Sequence, residues 1–155
     1  MATRQQIQIA QDLVRFVNIM NDLLDCASYI LKGIDPQMGT PYQIQNQDGT
    51  YREATLEELK AAGKRAGQNV LGYRNTINQF ITRYGAANVR DALLGMDIDV
   101  ATIQSDVAAM ETQARNLNNY IDAVQSKAKL VPFAESIDTS IPKLILVRRS
   151  WCLGL

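Results

Sequence analysis

A mainly α fold is expected, with three long amphipathic helices in an elongated bundle or coiled coil. A small β-hairpin separates helices 1 and 2, and an extended C-terminal tail follows. Three observations predict it. Apolar residues recur every three to four positions over three long stretches, two of those stretches open on S/T-x-x-E/Q-type capping boxes, and one Asp-Gly turn sits between short alternating runs. At 155 residues the chain is long enough to bury a core as one domain.

The first stretch, residues 4–32, carries Ile9, Leu13, Phe16, Met20, Leu23, Ala27 and Ile30 in steps of four and three, an apolar seam with a mean period of 3.5. Ala10, Val14, Val17, Leu24 and Leu31 run beside it and widen the stripe to that of a core helix. Thr3 with Gln6 reads as a capping box, and Gly33 followed by Pro36 as the stop. In the hairpin, about 41–54, Tyr42 and Ile44 alternate with polar residues, Asp48-Gly49 marks the turn and 50–52 returns. A lone hairpin is marginal, so it is expected to pack on the bundle or on a neighbour.

The second stretch, 56–84, repeats the pattern with Leu59, Gly63, Ala66, Val70, Tyr73, Ile77, Phe80 and Tyr84. Thr55 and Glu58 supply its capping box, and Gly85 suits a left-handed position past its end. A short helical piece, AANVRDALLG, precedes the third stretch, which starts near Asp97–Asp99. That seam reads Val100, Ile103, Val107, Met110, Ala114, Leu117, Ile121, Val124 and Ala128. Helices of nearly thirty residues would span about 40–45 Å and pack within the chain or between copies of it.

The domain expectation is a helical bundle over 1–131 and an extended arm over 132–155. Pro132 and Pro142 bracket LVPFAESIDTSIP as irregular chain, KLILV is β-prone, and Leu144, Leu146, Trp151, Leu153 and Leu155 make the end unusually apolar. These five are the candidate assembly residues of the tail, which is expected to fold back on the bundle or to dock on another subunit, with strand addition as one route.

Chemistry is scarce. Lys+Arg and Asp+Glu total 16 each and histidine is absent. Neutral net charge argues against a general attraction to nucleic acid or anionic membrane, and the commonest general base and zinc ligand is missing. From Lys127 onward five cations stand against two acids, a basic bias that suits an acidic partner or a solvated tail. Two cysteines, Cys26 and Cys152, cannot make a metal site alone and are expected to be reduced. The segment MATRQQIQIAQDLVRF lacks an apolar signal core, and no run of 18 apolar residues exists. A cytoplasmic protein is the expectation from these features. Asn and Gln number 23, more than either sign of charge, which gives helix faces able to hydrogen-bond partners without desolvating charge.

The most enzyme-like segment is LKAAGKRAGQNVLGYR, 59–74. A phosphate loop would need a glycine where Glu58 stands and a hydroxyl where Arg65 stands, after a strand rather than a helix. Asp97 and Asp99 suit a helix start better than a metal pair, and NQDGTYRE lacks the first and last ligands of a calcium loop. No serine or cysteine has a histidine to activate it. Lys60, Lys64, Arg65, Arg74 and Arg83 interleave with Tyr73 and Tyr84, but those tyrosines fall on the apolar seam, so a solvated cationic face is expected rather than a nucleic-acid surface. Gly63, Ala66 and Gly67 form a flat small-residue patch, a candidate surface for close helix contact. No catalytic, cofactor or metal residue is assigned.

Sustained seams, amide-rich faces, absent catalytic constellations and the apolar segment 143–155 together resemble the small structural virion proteins of tailed bacteriophages: head–tail connector, tail and capsid-associated components. The likeness is one of architecture and composition, and it carries no residue-level assignment. It implies a non-enzymatic, self-associating component of a larger particle, with copies of itself and other structural proteins as partners and the virion as its place. The alternative is a soluble helical binding module or assembly chaperone.

Overall fold

A computed structural model describes residues 3–137. Within them run α1 (Arg4–Leu31), β1 (Gln43–Gln45), β2 (Tyr51–Glu53), α2 (Leu56–Tyr84), α3 (Ala86–Leu94), α4 (Val100–Tyr120), a 3-10 turn (Ile121–Ala123) and α5 (Lys127–Glu135). The fold is mainly helical, with one two-stranded antiparallel sheet.

Local rules set the helix starts. In α1, Thr3 Oγ1 accepts from the Gln6 amide at 3.1 Å while Gln6 Oε1 accepts from the Thr3 amide at 3.0 Å. In α2, Thr55 and Glu58 make the same reciprocal pair, satisfying amides the first turn leaves without partners. Asp99 caps α4 by accepting from Ala101 N at 3.0 Å. Gly85, at φ +86°, lets α2 end and α3 begin in a conformation that residues with a Cβ rarely adopt.

Packing then ranks the helices. α1 contacts α2, α3, α4 and α5, and 14 of its 28 residues are buried, so it forms the centre of the molecule. Leu13, Val17, Met20 and Leu24 are completely enclosed. α2 covers one side of α1 and lies against α4, and seven of its 29 residues are buried. The hairpin pairs Ile44 with Arg52 and turns at Gly49, φ +88°. It is fastened to the helices: Arg52 makes a two-point ion pair with Glu58 at 2.5 and 2.9 Å, and Ala54 is buried in the core.

The expected third long helix is corrected. α4 stops at Tyr120; past it Ile121 is fully buried and Val124 half-buried against the core, whereas Ala128 is exposed. The cause is tertiary. Lys60 Nζ, from α2, donates to the carbonyl oxygens of Asp122 and Val124 at 3.2 and 2.7 Å, so these oxygens are engaged by a lysine more than sixty residues away. The chain then turns into α5, which contacts α1. The expected boundary at 131/132 falls inside this helix, and 130–135 is helical rather than irregular. Pro132 removes one backbone donor; burial of Leu130 and Ala134 and the Ser28 Oγ hydrogen bond to the Ala134 carbonyl, 3.1 Å, hold the turn in place.

Candidate functional site

The N-terminal half of α2 carries the residues of interest because it presents two small-residue faces at helical spacing. Gly63 and Gly67 point one way. A Cβ at Gly63 would stand 2.6 Å from Leu31 Cδ2 and 3.2 Å from Ile121 Cδ1. One at Gly67 would stand 3.0 Å from Leu117 Cδ2 and 3.1 Å from Asn118 Oδ1. Each mid-helix glycine costs about 1 kcal/mol against alanine. Here that cost lets the end of α1, the end of α4 and the 3-10 turn all close on one side of α2. The helix contact made by Gly63 and Gly67 therefore lies within the chain.

Ala62 and Ala66 face differently, toward α1. Small side chains there leave a groove of about 500 Å³ with Leu23, Cys26 and Ile30 on the α1 wall and Ala62, Ala66 and Asn69 on the α2 wall. Tyr42, Arg65 and Gln68 complete its edge. Cys26 is buried and its sulfur is disulfide-bonded, which corrects the expectation of a reduced thiol. The groove was not legible in the seams. Leu23 and Ile30 read as ordinary core positions, and only the alanine and glycine run of α2 signalled that something other than side-chain bulk fills this region.

Cations of the same segment serve as fasteners. Lys64 pairs with Asp122 at 2.8 Å, and this lysine holds the Asp122 carboxyl below its ordinary range. Arg74 pairs with Glu111 across α2 and α4, and Arg115 reaches the same carboxylate at 2.8 Å. The interior of α2 also removes the phosphate-loop reading, because its amides donate along the helix rather than into a cradle. At the hairpin, Arg52 and the Thr55 amide hold Glu58 at a pKa of about 2.

Farther along α2, aromatic rings cluster with Phe16 of α1. Phe16 meets Tyr73 and Phe80 edge-on, with centroids 6.2 and 5.4 Å apart, and Phe80 leans on Tyr84 at 4.9 Å. Burial raises the Tyr73 hydroxyl above its ordinary pKa. Arg15 lies over Phe16 and Arg83 over Tyr84, so these rings and cations engage one another.

Among the described residues no cluster of three metal-ligating side chains occurs, and no helix is long and apolar enough to cross a membrane. The tail candidates Leu144, Leu146, Trp151, Leu153 and Leu155 lie outside the described residues. Comparison of the sequence with protein-family models and with curated proteins, and of the fold with solved structures, finds no match.

Proposed function

We propose that the protein is a non-enzymatic structural or assembly protein, a self-associating component of a larger particle such as a bacteriophage virion. The observation that carries this reading is where the ionisable side chains go. Arg52–Glu58 ties the hairpin to α2, Lys127–Glu53 ties it to α5, Lys60 and Lys64 hold the end of α4, and Arg74–Glu111 ties α2 to α4. Charge is used to brace helices against one another, a use that suits a rigid body bearing load between neighbours. Exposed apolar side chains, among them Ile7, Leu94 and Tyr120, are available to such neighbours.

In this reading the helical body is the rigid part and the hairpin and segment 143–155 make subunit contacts. Mass measurement in solution over a range of concentrations tests it: symmetric higher-order species are expected. Deleting 143–155 is expected to abolish those species while helical circular dichroism persists. A chain that stays monomeric at every concentration, alone and with candidate particle proteins, overturns the reading.

The α1–α2 groove favours a second reading, a helical binding module or assembly chaperone that holds a partner's helix or terminus. It predicts a monomer or small dimer with one partner, and the same mass measurement separates the two.

A further inference from the structure

We propose that the junction between α4 and α5 is a hinge held shut by Lys60, and that the opened hinge lets α4 run straight on and place α5 against α1 of a second copy of this chain. This rests on the self-association reading and gives that association a route.

The bend is short and tertiary in origin. Three residues, 124–126, separate the 3-10 turn from α5, and Val124 (ψ 129°) and Ser126 (ψ 152°) are extended. The usual helix-ending residues are missing there: no glycine or proline occurs between Gly95 and Pro132. Ser126 stands at the start of α5, yet its side chain makes no capping hydrogen bond, so the first amides of α5 lack the partner a cap supplies. The seam of α4 also continues past the bend, from Ile121 through Val124, Ala128 and Val131 in steps of three and four. In the bent form Ala128 and Val131 are left exposed.

Lys60 decides between the two forms. A continuous helix would bond the carbonyl oxygens of Asp122 and Val124 to the amides of Ser126 and Ala128, four residues on. In the bent form Lys60 Nζ takes both oxygens, at 3.2 and 2.7 Å, and Lys64 holds the Asp122 carboxylate at 2.8 Å. Removing the Lys60 ammonium leaves those oxygens to the helix.

The straight form cannot return α5 to its own α1. α4 runs antiparallel to α2: Glu111 meets Arg74, Leu117 meets the Gly67 position and Ile121 that of Gly63. Continued in that register, residue 128 reaches the level of Leu56, where α2 begins. Residues 129–135 then project about 10 Å beyond it. The apolar side of α5, Leu130 and Ala134, needs an α1 surface, and a second copy offers the one it already fits, with the Ser28 hydroxyl that donates to the Ala134 carbonyl. Pro132 lies inside α5 in either form, so straightening asks nothing new of it. Exchange of an identical element between copies is a low-cost route to association. Because the α5–α1 contact is the same in both forms, the helical body stays rigid and only the junction changes.

Light scattering on size-fractionated protein tests this over a range of concentrations, in reductant so that the disulfide at Cys26 holds neither form. Wild type is expected to show monomer and a larger species that grows with concentration. Lys60→Met keeps the stem without the ammonium and is expected to raise the larger species several-fold at equal concentration. Gln125→Pro holds Val124 extended and removes an N–H that the straight helix needs, so it is expected to lose that species. In the larger species formed from isotope-labelled and unlabelled wild type, filtered NOEs from the Leu130 and Ala134 methyls to α1 are expected to join different chains. Contacts that stay within one chain, or a Gln125→Pro protein that associates as wild type does, would overturn the exchange of α5 and leave the assembly reading standing. Wild type and Lys60→Met that are both monomeric at every concentration would overturn both. Should Gln125→Pro fail to fold, the NOE measurement on wild type decides alone.

Discussion

α1 and α2 are nearly equal in length, 28 and 29 residues, and both start from a capping box, yet they play different parts. α1 is enclosed by four other helices, whereas α2 is buried along one side and leaves Gly72 and Asn75 in solvent. The difference teaches that seam period and stripe width carry separate information. Period says that a helix is amphipathic. Width says how many neighbours it has, and the second row of α1, Ala10, Val14, Val17, Leu24 and Leu31, is buried because other helices stand on that side too.

The largest effect that would test this contrast is a cavity. Leu24→Ala, at a fully enclosed position of α1, is expected to lose about 2–5 kcal/mol of stability. Leu71→Ala, half-buried on α2, is expected to lose on the order of 1 kcal/mol. Urea unfolding of both variants decides the matter, and equal losses would erase the distinction between a central and a peripheral helix.

A smaller effect probes the glycines of α2. Gly63→Leu must displace Leu31 and Ile121 and is expected to cost about 1–3 kcal/mol by overpacking. Gly72→Leu, with nothing within 4 Å of its Cβ, is expected to stay within about 0.5 kcal/mol of wild type. Gly72→Ala sharpens the point from the other side: it should gain about 0.4–1 kcal/mol, because alanine restricts the unfolded chain and fits the helix. A loss of stability at both glycines would mean that the exposed face of α2 is covered in solution.

The smallest effect concerns the tether of the hairpin. Glu58 titrates near 2 in the fold against an ordinary 4.5. A depressed carboxyl contributes stability that is present above the unfolded value and is lost as pH falls through the folded one. The hairpin's hold on α2 should therefore be intact at neutral pH and weaken between about 4.5 and 2. An NMR titration following the Glu58 carboxyl and the Arg52 Nη–H resonances, whose nitrogens hold it, reads this window, and Glu58→Gln should remove the transition. A Glu58 midpoint near its ordinary value would show that the ion pair does not persist in water.

Of the candidate site, Gly63 and Gly67 were legible because a mid-helix glycine costs free energy and so calls for a packing reason, whereas Ala66, expected on the same patch, lines the groove against α1 instead. Which neighbours the glycines meet was not legible. Leu117 and Ile121 read as seam residues and Leu31 as part of the row beside a seam, and their meeting at α2 depends on how those helices cross. Cys26 shows the same limit, since its spacing marks a helix position and is silent on the bond its sulfur makes.

What the amino-acid order determined by itself is local: the starts of α1 and α2, the Asp48-Gly49 turn, the stop at Gly85 and the inward faces of the long helices. Each depends on groups a few residues apart, so short-range sterics and hydrogen bonds suffice. Tertiary structure alone decided where α4 ends, that α5 runs through Pro132, and that alanines opposite Leu23 and Ile30 leave a groove. In these places the deciding partners are distant in the chain: Lys60 reaches the carbonyl oxygens of Asp122 and Val124, and Ser28 holds Ala134. Their energy counts only once α1 and α2 are already packed, so a local pattern holds no trace of it.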